Sequence, residues 1–284
     1  MNYKGQRALV TGASSGIGAA FARQLASRGA NLVLVARSQD KLAALADELS
    51  ASFGVAADVA VVDLAAPAAA ESLAAELRGR GLQIDILINN AGFGLFSQLH
   101  QADGAALADM IRVNVAALVD LTRLYLPPML DRDRGAIVNV ASTAAFQPVP
   151  YMAVYGASKA FVLSFTEALW AETRGTGVRV TALCPGSTDT GFFDIAGENA
   201  QVGQRIPPKR VVQAAFRALD RRASTMVTGG AGNRLLTNAP RVASRQFVAR
   251  MAARTMRPAN QPERKEPARA VDCFCQHGHD GREV

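Results

Sequence analysis

The chain contains 284 residues, of which 49% are hydrophobic and 19% are charged, and its formal net charge is +7. A chain of this length and apolar content can bury one large core, and its three cysteines, Cys184, Cys273 and Cys275, are too few and too unevenly placed for a disulfide framework. The composition therefore excludes a small disulfide-bonded secreted domain and suits a reducing compartment.

No apolar run reaches the roughly 20 residues that a membrane-spanning helix needs. The best run, residues 115–126, is interrupted by Asp120 and Arg123. No secretory leader is recognisable, because residues 1–5 lead directly into the first predicted strand. We therefore expect a cytoplasmic protein.

Predicted strands alternate with segments of helical periodicity over the first 230 residues. This alternation predicts an α/β fold, a doubly wound parallel (Rossmann-like) sheet with helices on both faces and ligands beyond the carboxyl ends of the strands. The predicted strands are residues 6–12, 30–36, 55–63, 84–89, 135–141, 177–184 and 225–228. We expect one α/β domain at 1–230, a basic amphipathic helical extension at 231–257 and a disordered tail at 258–284.

The first strand ends in a glycine-rich turn that opens a helix. Gly12, Gly16 and Gly18 follow the apolar run 7–11, and residues 19–26 have helical apolar spacing. Glycines let the backbone approach a phosphate closely, and the amides at a helix start favour negative charge. This order predicts a dinucleotide cradle, with the spacing G-x-x-x-G-x-G instead of the commoner G-x-G-x-x-G. The alternative is a turn that binds no ligand.

The end of the second strand indicates which dinucleotide binds. Where an NAD enzyme would present an Asp or Glu to the adenosine ribose, this chain has Ala36 and then Arg37. The Arg37 guanidinium offers a planar set of donors to a 2′-phosphate, with Ser14 and Ser38 as neutral helpers. The predicted cofactor is therefore NADP(H). The alternative is that Arg37 is a solvated residue at a strand end.

Tyr155 and Lys159 lie four residues apart, so on a helix they occupy one face at neighbouring turns. An ammonium beside a phenol would lower the phenol pKa from about 10 towards working pH. Such a Tyr could donate a proton to a carbonyl oxygen or accept one from an alcohol. The alternative is a buried ring beside a solvated amine. Tyr151 has no Lys at the required offset, and we expect it to form part of a pocket wall.

With several further motifs, these segments resemble the short-chain dehydrogenase/reductase family over roughly residues 6–230. The glycine turn resembles the family's cofactor motif, and Asp63 and Leu64 stand where the family places an adenine contact. Residues 89–92, Asn-Asn-Ala-Gly, resemble a segment that stabilises the central sheet, and residues 185–190 resemble the nicotinamide contact. The implied cofactor contacts are Gly12, Ser14, Ser15, Gly16, Ile17, Gly18, Arg37, Asp63, Leu64, Asn90, Ala91, Gly92, Tyr155, Lys159, Pro185, Gly186, Thr188 and Thr190.

The resemblance also implies a catalytic set, Asn114, Ser142, Tyr155 and Lys159. Ser142 would hydrogen-bond the substrate oxygen, and Tyr155 would transfer the proton. Lys159 would lower the pKa of Tyr155 and bind the nicotinamide ribose, while Asn114 would position a water between Lys159 and solvent. The implied activity is NADP(H)-dependent interconversion of a carbonyl and a secondary alcohol, by a homodimer or homotetramer. Taken singly, Ser142 could be a strand-end residue that bonds its own backbone, and Asn114 a helix-face amide.

Three segments expected at the pocket are rich in apolar side chains: residues 92–96, 144–151 and 190–195. They favour a lipophilic carbonyl or alcohol as substrate, although the same aromatic rings could instead complete the core. Residues 187–206 are expected to form a movable lid.

The basic character belongs to the C-terminal part of the chain. Residues 1–204 contain 15 basic and 18 acidic side chains, a net of −3, whereas residues 205–284 contain 16 and 6, a net of +10. Helical projection of residues 241–257 places Phe247, Val248, Met251 and Thr255 on one side, flanked by Arg250, Arg254 and Arg257 and by Arg241 and Arg245. Such a helix could lie on anionic lipid, dock on the protein's own body or contact another subunit.

The tail contains Cys273, Cys275, His277 and His279, whose spacing matches no closed zinc site, so we expect no metal. The alternative to an enzyme is a non-catalytic NADP-sensing module that binds nucleic acid or a membrane through the basic C-terminus. Nucleic-acid binding is disfavoured, because no aromatic platform or recognition helix accompanies the charge.

Overall fold

The computed structural model of the chain describes residues 1–192, 196–197, 204–238 and 243–257. The expected disordered tail with its Cys and His residues, residue Arg241 and part of the expected lid lie outside the described residues.

A seven-stranded parallel sheet forms the centre of the molecule, with strand order β3-β2-β1-β4-β5-β6-β7. Each observed strand lies inside a predicted range, so the predicted α/β fold class is confirmed. The strands are β1 Arg7–Thr11, β2 Asn31–Ala36, β3 Ala57–Val61, β4 Ile86–Asn89, β5 Gly135–Val140, β6 Val178–Cys184 and β7 Thr225–Val227.

Helices follow the strands in alternation within the described residues. They are α1 Gly16–Ala26, α2 Gln39–Phe53, α3 Ala69–Gly79, α4 Gly104–Ile111, α5 Ala117–Asp131, α6 Ala153–Glu172, α7 Pro208–Asp220, α8 Gly230–Asn238 and α9 Arg245–Thr255. A π-helical turn, Arg112–Ala116, joins α4 to α5, and short 3₁₀ turns occupy Leu99–Gln101 and Thr143–Phe146.

The alternation of side chains along the strands divides the core between the two faces of the sheet. In β1, Ala8 and Val10 pack on one face with α1, α2 and α7, where Phe21 and Phe216 are buried. Leu9 faces the other side and packs with α3, α5 and α6. Both faces of the strands are covered, which explains why the strand sequences are almost continuously apolar.

The strand order reverses between β1 and β4, which are neighbours in the sheet although β2 and β3 separate them in sequence. Chains that leave these two strands turn to opposite sides, so a crevice opens beyond their carboxyl ends. The glycine turn follows β1, and residues 90–92 follow β4. The fold therefore places both motifs at this crevice.

The C-terminal helix α9 contains no fully buried residue. Ala249, Ala252 and Ala253 are half-buried, whereas Phe247 and Met251 of the predicted apolar stripe are 58% and 44% exposed. Of the predicted apolar stripe, Phe247, Met251 and Thr255 are therefore exposed, whereas Val248 is half-buried. None of the helices that the structure describes combines the length and the apolar character needed to cross a bilayer.

Candidate active site

The glycine turn after β1 has the geometry of a phosphate cradle. Gly12 and Gly16 have φ angles of +64° and +54°, which residues with a Cβ rarely adopt. A Cβ at Gly18 would lie 2.1 Å from the Gly12 carbonyl oxygen, so α1 can start this close to the turn only with glycine there. The side chain of Ser15, the N-cap of α1, makes no capping hydrogen bond and leaves the first amides to a ligand. These residues fit a dinucleotide phosphate.

The segment after β4 holds the glycine turn in place. Asn90 Nδ2 donates to the Thr11 carbonyl oxygen at 2.9 Å, and Thr11 Oγ1 accepts from the amides of Asn90 and Ala91 at 2.9 and 3.0 Å. A Cβ at Gly12 would lie 2.8 Å from Asn90 Nδ2. These bonds join the ends of β1 and β4, which is the stabilising role expected for residues 89–92.

Arg37 follows β2 at the same edge of the sheet and lines the same cavity as the glycine turn. It is exposed, and among the described residues it forms no ion pair. Ser38, the N-cap of α2, makes no side-chain capping bond. A guanidinium beside an uncapped helix start is a suitable environment for a phosphate.

A single cavity of about 580 Å³ connects these features with the predicted catalytic residues. Ser142, Tyr155 and Lys159 line it, whereas Asn114 and Gly18 are buried and do not. The other predicted cofactor residues that line it are Gly12, Ser14, Ser15, Gly16, Ile17, Arg37, Asp63, Leu64, Asn90, Ala91, Gly92, Pro185, Gly186, Thr188 and Thr190.

Tyr155 lies in the first turn of α6 and Lys159 in the next turn. Lys159 Nζ lies over the Tyr155 ring, 5.9 Å from its centroid, and donates to the Val140 carbonyl oxygen at 2.9 Å. The Tyr155 hydroxyl interacts with the Ser142 side chain, which favours the phenolate form. Ser142 Oγ accepts from the Ala144 amide at 3.1 Å, so it bonds its own backbone, which is the alternative that the sequence left open.

Burial dominates the electrostatics of this pair. It raises the pKa of Tyr155 to about 12, and the interaction with Ser142 opposes that shift only in part. Burial also lowers the pKa of Lys159 to about 8. The expectation that Lys159 brings the Tyr155 pKa down towards working pH is therefore wrong for this arrangement, because desolvation of the phenolate outweighs the opposing contributions.

Asn114 lies on the π-helical turn between α4 and α5, and π turns are frequent at functional sites. Its Oδ1 accepts from the Phe93 amide at 3.1 Å, and its Nδ2 donates to the Phe93 carbonyl oxygen and to Ser158 Oγ at 3.0 and 3.1 Å. A Cβ at Gly92 would lie 2.9 Å from Asn114 Oδ1 and 3.2 Å from Lys159 Nζ. Both amide protons are used, so Asn114 could hold a water only through an Oδ1 lone pair. The water relay stays a prediction.

The three apolar segments expected at the pocket, residues 92–96, 144–151 and 190–195, line the cavity only in part. Phe93, Val149 and Phe192 line the cavity, while residues 193–195 lie outside the described part of the chain. Tyr151 does not line it, which corrects the expectation of a pocket wall. Its ring stacks on Phe96 instead, with centroids 5.5 Å apart and planes 18° from parallel.

Gly94 lies in the predicted pocket segment 92–96, although the sequence analysis gave it no role of its own. A Cβ there would lie 2.9 Å from both Met152 Cε and Phe192 Cζ and 3.1 Å from Tyr155 Cδ2. A side chain at residue 94 would therefore crowd the Tyr155 ring and the ends of the Met152 and Phe192 side chains. An isolated glycine inside an apolar segment was the signal that could have found it.

Cavity residues also come from beyond residue 230, which the sequence analysis separated as an extension. Asn233 and Thr237 of α8 and Met256, directly after α9, line the same cavity. Asn233 Nδ2 donates to the Thr228 carbonyl oxygen at 2.9 Å. No local sequence pattern marks these residues, because only the fold brings them to the crevice.

The fold and the site together define a class of protein. A doubly wound sheet with a glycine phosphate cradle, and with Ser, Tyr and Lys in the same cavity, is characteristic of nicotinamide-dependent oxidoreductases. Comparison with known proteins makes the assignment specific. The sequence model described as short chain dehydrogenase matches residues 6–200, and the chain belongs to this family.

Among curated relatives, an uncharacterized oxidoreductase of Staphylococcus saprophyticus is 36% identical over 212 residues, which are 75% of this chain and 90% of the relative. A sulfoacetaldehyde reductase of Chromohalobacter salexigens is 43% identical over 188 residues, or 65% of this chain and 73% of the relative.

Solved structures show the same similarity. A 7β-hydroxysteroid dehydrogenase superposes with a TM-score of 0.80 at 29% identity, covering 89% of this chain and all of the other. A short-chain dehydrogenase of Sphingobium yanoikuyae in complex with NADPH superposes with a TM-score of 0.73 at 33% identity. The match covers 93% of this chain and 99% of the other. A short-chain dehydrogenase/reductase of Burkholderia phymatum in complex with NAD superposes with a TM-score of 0.74 at 30% identity. The match covers 83% of this chain and 93% of the other.

The chain is therefore an oxidoreductase that interconverts carbonyl and alcohol groups with a nicotinamide cofactor. The alternative of a non-catalytic sensing module receives no support from these relatives, which are named as oxidoreductases and dehydrogenases.

The lowered pKa of Lys159 makes stability depend on pH in a defined window. Because the folded-state pKa, about 8, lies below the ordinary value of 10.5, the unfolded chain binds more protons between these values. The contribution of Lys159 to stability is therefore least favourable below pH 8 and improves as pH rises through the window. We expect the free energy of unfolding of the wild type, minus that of Lys159→Met, to rise by on the order of 1 kcal/mol per pH unit between pH 8 and 10.

Urea unfolding at a series of pH values measures this difference. The window ends near pH 10 because the unfolded chain loses the same proton as pH passes the ordinary lysine pKa of 10.5, and the difference then levels off. Lys41→Met is the control, since Lys41 is exposed on α2. A difference between wild type and Lys159→Met that does not change with pH would contradict the burial argument.

Proposed function

We propose that this chain is an NADP(H)-dependent carbonyl reductase and alcohol dehydrogenase in which Tyr155 transfers the proton. The observation that carries the proposal is that Ser142, Tyr155 and Lys159 line the same cavity as the glycine turn. Lys159 lies on the same helix, one turn further along, and faces the same ring.

The protonation states of Tyr155 and Lys159 at neutral pH suit reduction of a carbonyl. A phenol whose pKa is raised to about 12 is protonated, so Tyr155 is a proton donor, and Lys159, with its pKa lowered to about 8, is still mainly charged. Bound NADPH would supply the hydride to the substrate carbon. Ser142 would orient the carbonyl oxygen, and Tyr155 would donate its proton as negative charge develops there. Lys159 would stabilise the phenolate that remains.

Arg37 supports the preference for NADP(H) over NAD(H). It lies exposed at the cavity beside the uncapped start of α2, with no ion-pair partner among the described residues. At the position where a carboxylate would repel a 2′-phosphate, the chain presents a cation. The glycine turn would hold the pyrophosphate, and Asp63 and Leu64, which also line the cavity, would contact the adenine.

Val149, Met152 and Phe192 support a lipophilic substrate, because they line the cavity beside Tyr155 with apolar surface. A structural neighbour with this fold is named as a 7β-hydroxysteroid dehydrogenase. We expect ketones with apolar substituents to be reduced better than short polar carbonyls.

Tyr155→Phe tests the proton-transfer role. Without the hydroxyl, we expect kcat to fall by roughly 10²- to 10⁴-fold while NADPH affinity is retained, because general acid catalysis is lost but the cavity is not. Loss of NADPH absorbance with a carbonyl substrate measures turnover, and NADPH fluorescence measures binding.

Tyr125→Phe is the matched control. It makes the same chemical change at a buried tyrosine of α5 outside the cavity, and turnover should persist. Near-normal turnover in Tyr155→Phe would remove the proposed role.

Arg37→Ala tests the cofactor preference. Loss of charge-assisted hydrogen bonds should raise the NADPH dissociation constant by roughly 10- to 100-fold and leave that of NADH nearly unchanged. Fluorescence titrations of both coenzymes measure this, with Lys41→Ala, on the exposed surface of α2, as the control. Preference of the wild type for NADH, or equal losses for both coenzymes, would contradict the assignment.

A homodimer or homotetramer is the proposed assembly. Family resemblance points to the helices that carry Asn114 and Tyr155, and both helical regions expose apolar side chains. Ile111, at the end of α4, is 48% exposed, and Phe161 on α6 is 43% exposed and stacks on Phe165 with centroids 6.0 Å apart. These surfaces would be covered in an assembly.

Phe161→Glu should shift the protein to smaller species, because a carboxylate would be buried at the proposed contact. Light scattering after size exclusion measures the mass. Phe53→Glu, at a residue of α2 that is 41% exposed, is the matched control and should leave the mass unchanged. A monomeric wild type, or an unchanged mass for Phe161→Glu, would contradict the proposed contact.

We propose that the protein acts in the cytoplasm and makes peripheral contact with anionic membranes through α9. Phe247 and Met251 face solvent on this helix, and Arg250 and Arg254 are exposed beside them. Apolar side chains bordered by arginines can insert at a lipid interface while the charges pair with headgroups.

Phe247→Glu combined with Met251→Glu should abolish co-sedimentation with phosphatidylglycerol vesicles, because the apolar contact is lost and negative charge is added. The control is Leu99→Glu, since Leu99 is 64% exposed outside α9. Equal sedimentation of the double variant and the wild type would contradict membrane contact through this face.

A further inference from the structure

Helix α9 is followed directly by a large side chain at the cavity. Ala249, Ala252 and Ala253 are small and half-buried, and no residue within α9 itself is buried. Met256, directly after the helix, is 8% exposed and lines the cavity. The helix therefore reaches the cavity through Met256.

The position of Met256 is set by the helix. Its amide donates to the Ala252 carbonyl oxygen at 3.0 Å, which continues the helical hydrogen-bond pattern one residue beyond α9. At the other end, Ser244 Oγ caps the helix by accepting from the Phe247 amide at 3.3 Å. The backbone of Met256 is thus held by regular helical bonding, and its side chain projects from a defined point.

Met256 packs in the apolar cluster around the proposed proton donor. The buried members of this cluster are Met152, Ala196 and Met256, and the Tyr155 and Phe192 rings pack against them. The rings of Tyr155 and Phe192 are 5.4 Å apart. Met152 precedes α6, whereas Met256 arrives from about a hundred residues further along the chain. The two thioethers belong to one apolar surface next to the phenol.

We infer that Met256 is a specificity-determining residue, which limits the size of the substrate group next to the reacting carbonyl. The inference rests on the proposed function, because it takes Tyr155 as the point where the carbonyl oxygen binds. Pocket volume discriminates apolar substrates by roughly 10- to 200-fold for each methylene-sized change. Methionine is large and adaptable, so its removal would open space and a rigid ring in its place would close it.

Met256→Ala and Met256→Phe test the inference on aryl ketones whose second substituent is methyl, propyl or phenyl. The measured quantity is the ratio of kcat/KM for benzophenone to that for acetophenone. We expect Met256→Ala to raise this ratio by roughly tenfold or more and Met256→Phe to lower it, with NADPH affinity unchanged in both. Thr255→Ala, a neighbouring exposed position, should leave the ratio unchanged.

An unchanged ratio in both Met256 variants, or an equal shift in Thr255→Ala, would overturn the inference. Loss of activity on all three ketones by one common factor would also overturn it, because that result indicates a merely structural anchor. If Met256→Ala does not fold, the opposite shift predicted for Met256→Phe still decides the matter.

Calorimetric binding of benzophenone to the enzyme saturated with NADP⁺ distinguishes a failure of the proposed function from a failure of the role inferred for Met256. A wild type that reduces no carbonyl would contradict the proposed function alone, whereas tighter benzophenone binding by Met256→Ala would still support a wall formed by Met256. Turnover by the wild type with identical binding by both Met256 variants would contradict only the role of Met256.

Discussion

The arrangement of the site depends on how closely the glycine turn approaches the end of β4. The Asn90 side chain bonds the Thr11 carbonyl oxygen, and Thr11 Oγ1 accepts from two amides of the facing segment. Neither Gly12 nor Gly18 has room for a Cβ. This contact joins the two strands at which the sheet reverses its order, so it fixes the crevice where the phosphate cradle and the Tyr155 side of the cavity meet.

Desolvation then determines the charge states at the other end of the cavity. The same burial raises the pKa of the phenol and lowers that of the ammonium, so the pair consists of a protonated Tyr155 and a mainly charged Lys159 at neutral pH. Apolar side chains around the phenol, including Phe192 and Met152, contribute to its burial. They can pack this closely beside Gly94 because that residue has no side chain. The apolar surface proposed to bind the substrate therefore also sets the acidity of the proposed proton donor.

Structural features that depend on neighbouring residues in the sequence could be predicted, whereas features that depend on tertiary packing could not. The strands are short apolar runs between glycine-rich turns and helices, and all seven predicted strands occur. The spacing of the glycines and the four-residue offset between Tyr155 and Lys159 likewise predicted a site, and these residues line one cavity, except for the buried Gly18. The direction of the Tyr155 pKa shift was predicted wrongly, because it depends on which side chains surround the ring. Met256 was missed because helix α9 brings it back from a distant part of the chain.

Reduction of an apolar ketone with NADPH deuterated at C4 tests the central claim most directly. Mass spectrometry of the product alcohol from the full chain would locate the label. The account predicts loss of NADPH absorbance, with deuterium on the carbinol carbon when the label occupies the transferred position, and with the hydroxyl proton derived from solvent. No NADPH oxidation across a panel of aldehydes and ketones, or an alcohol without deuterium from either labelled C4 epimer, would contradict it.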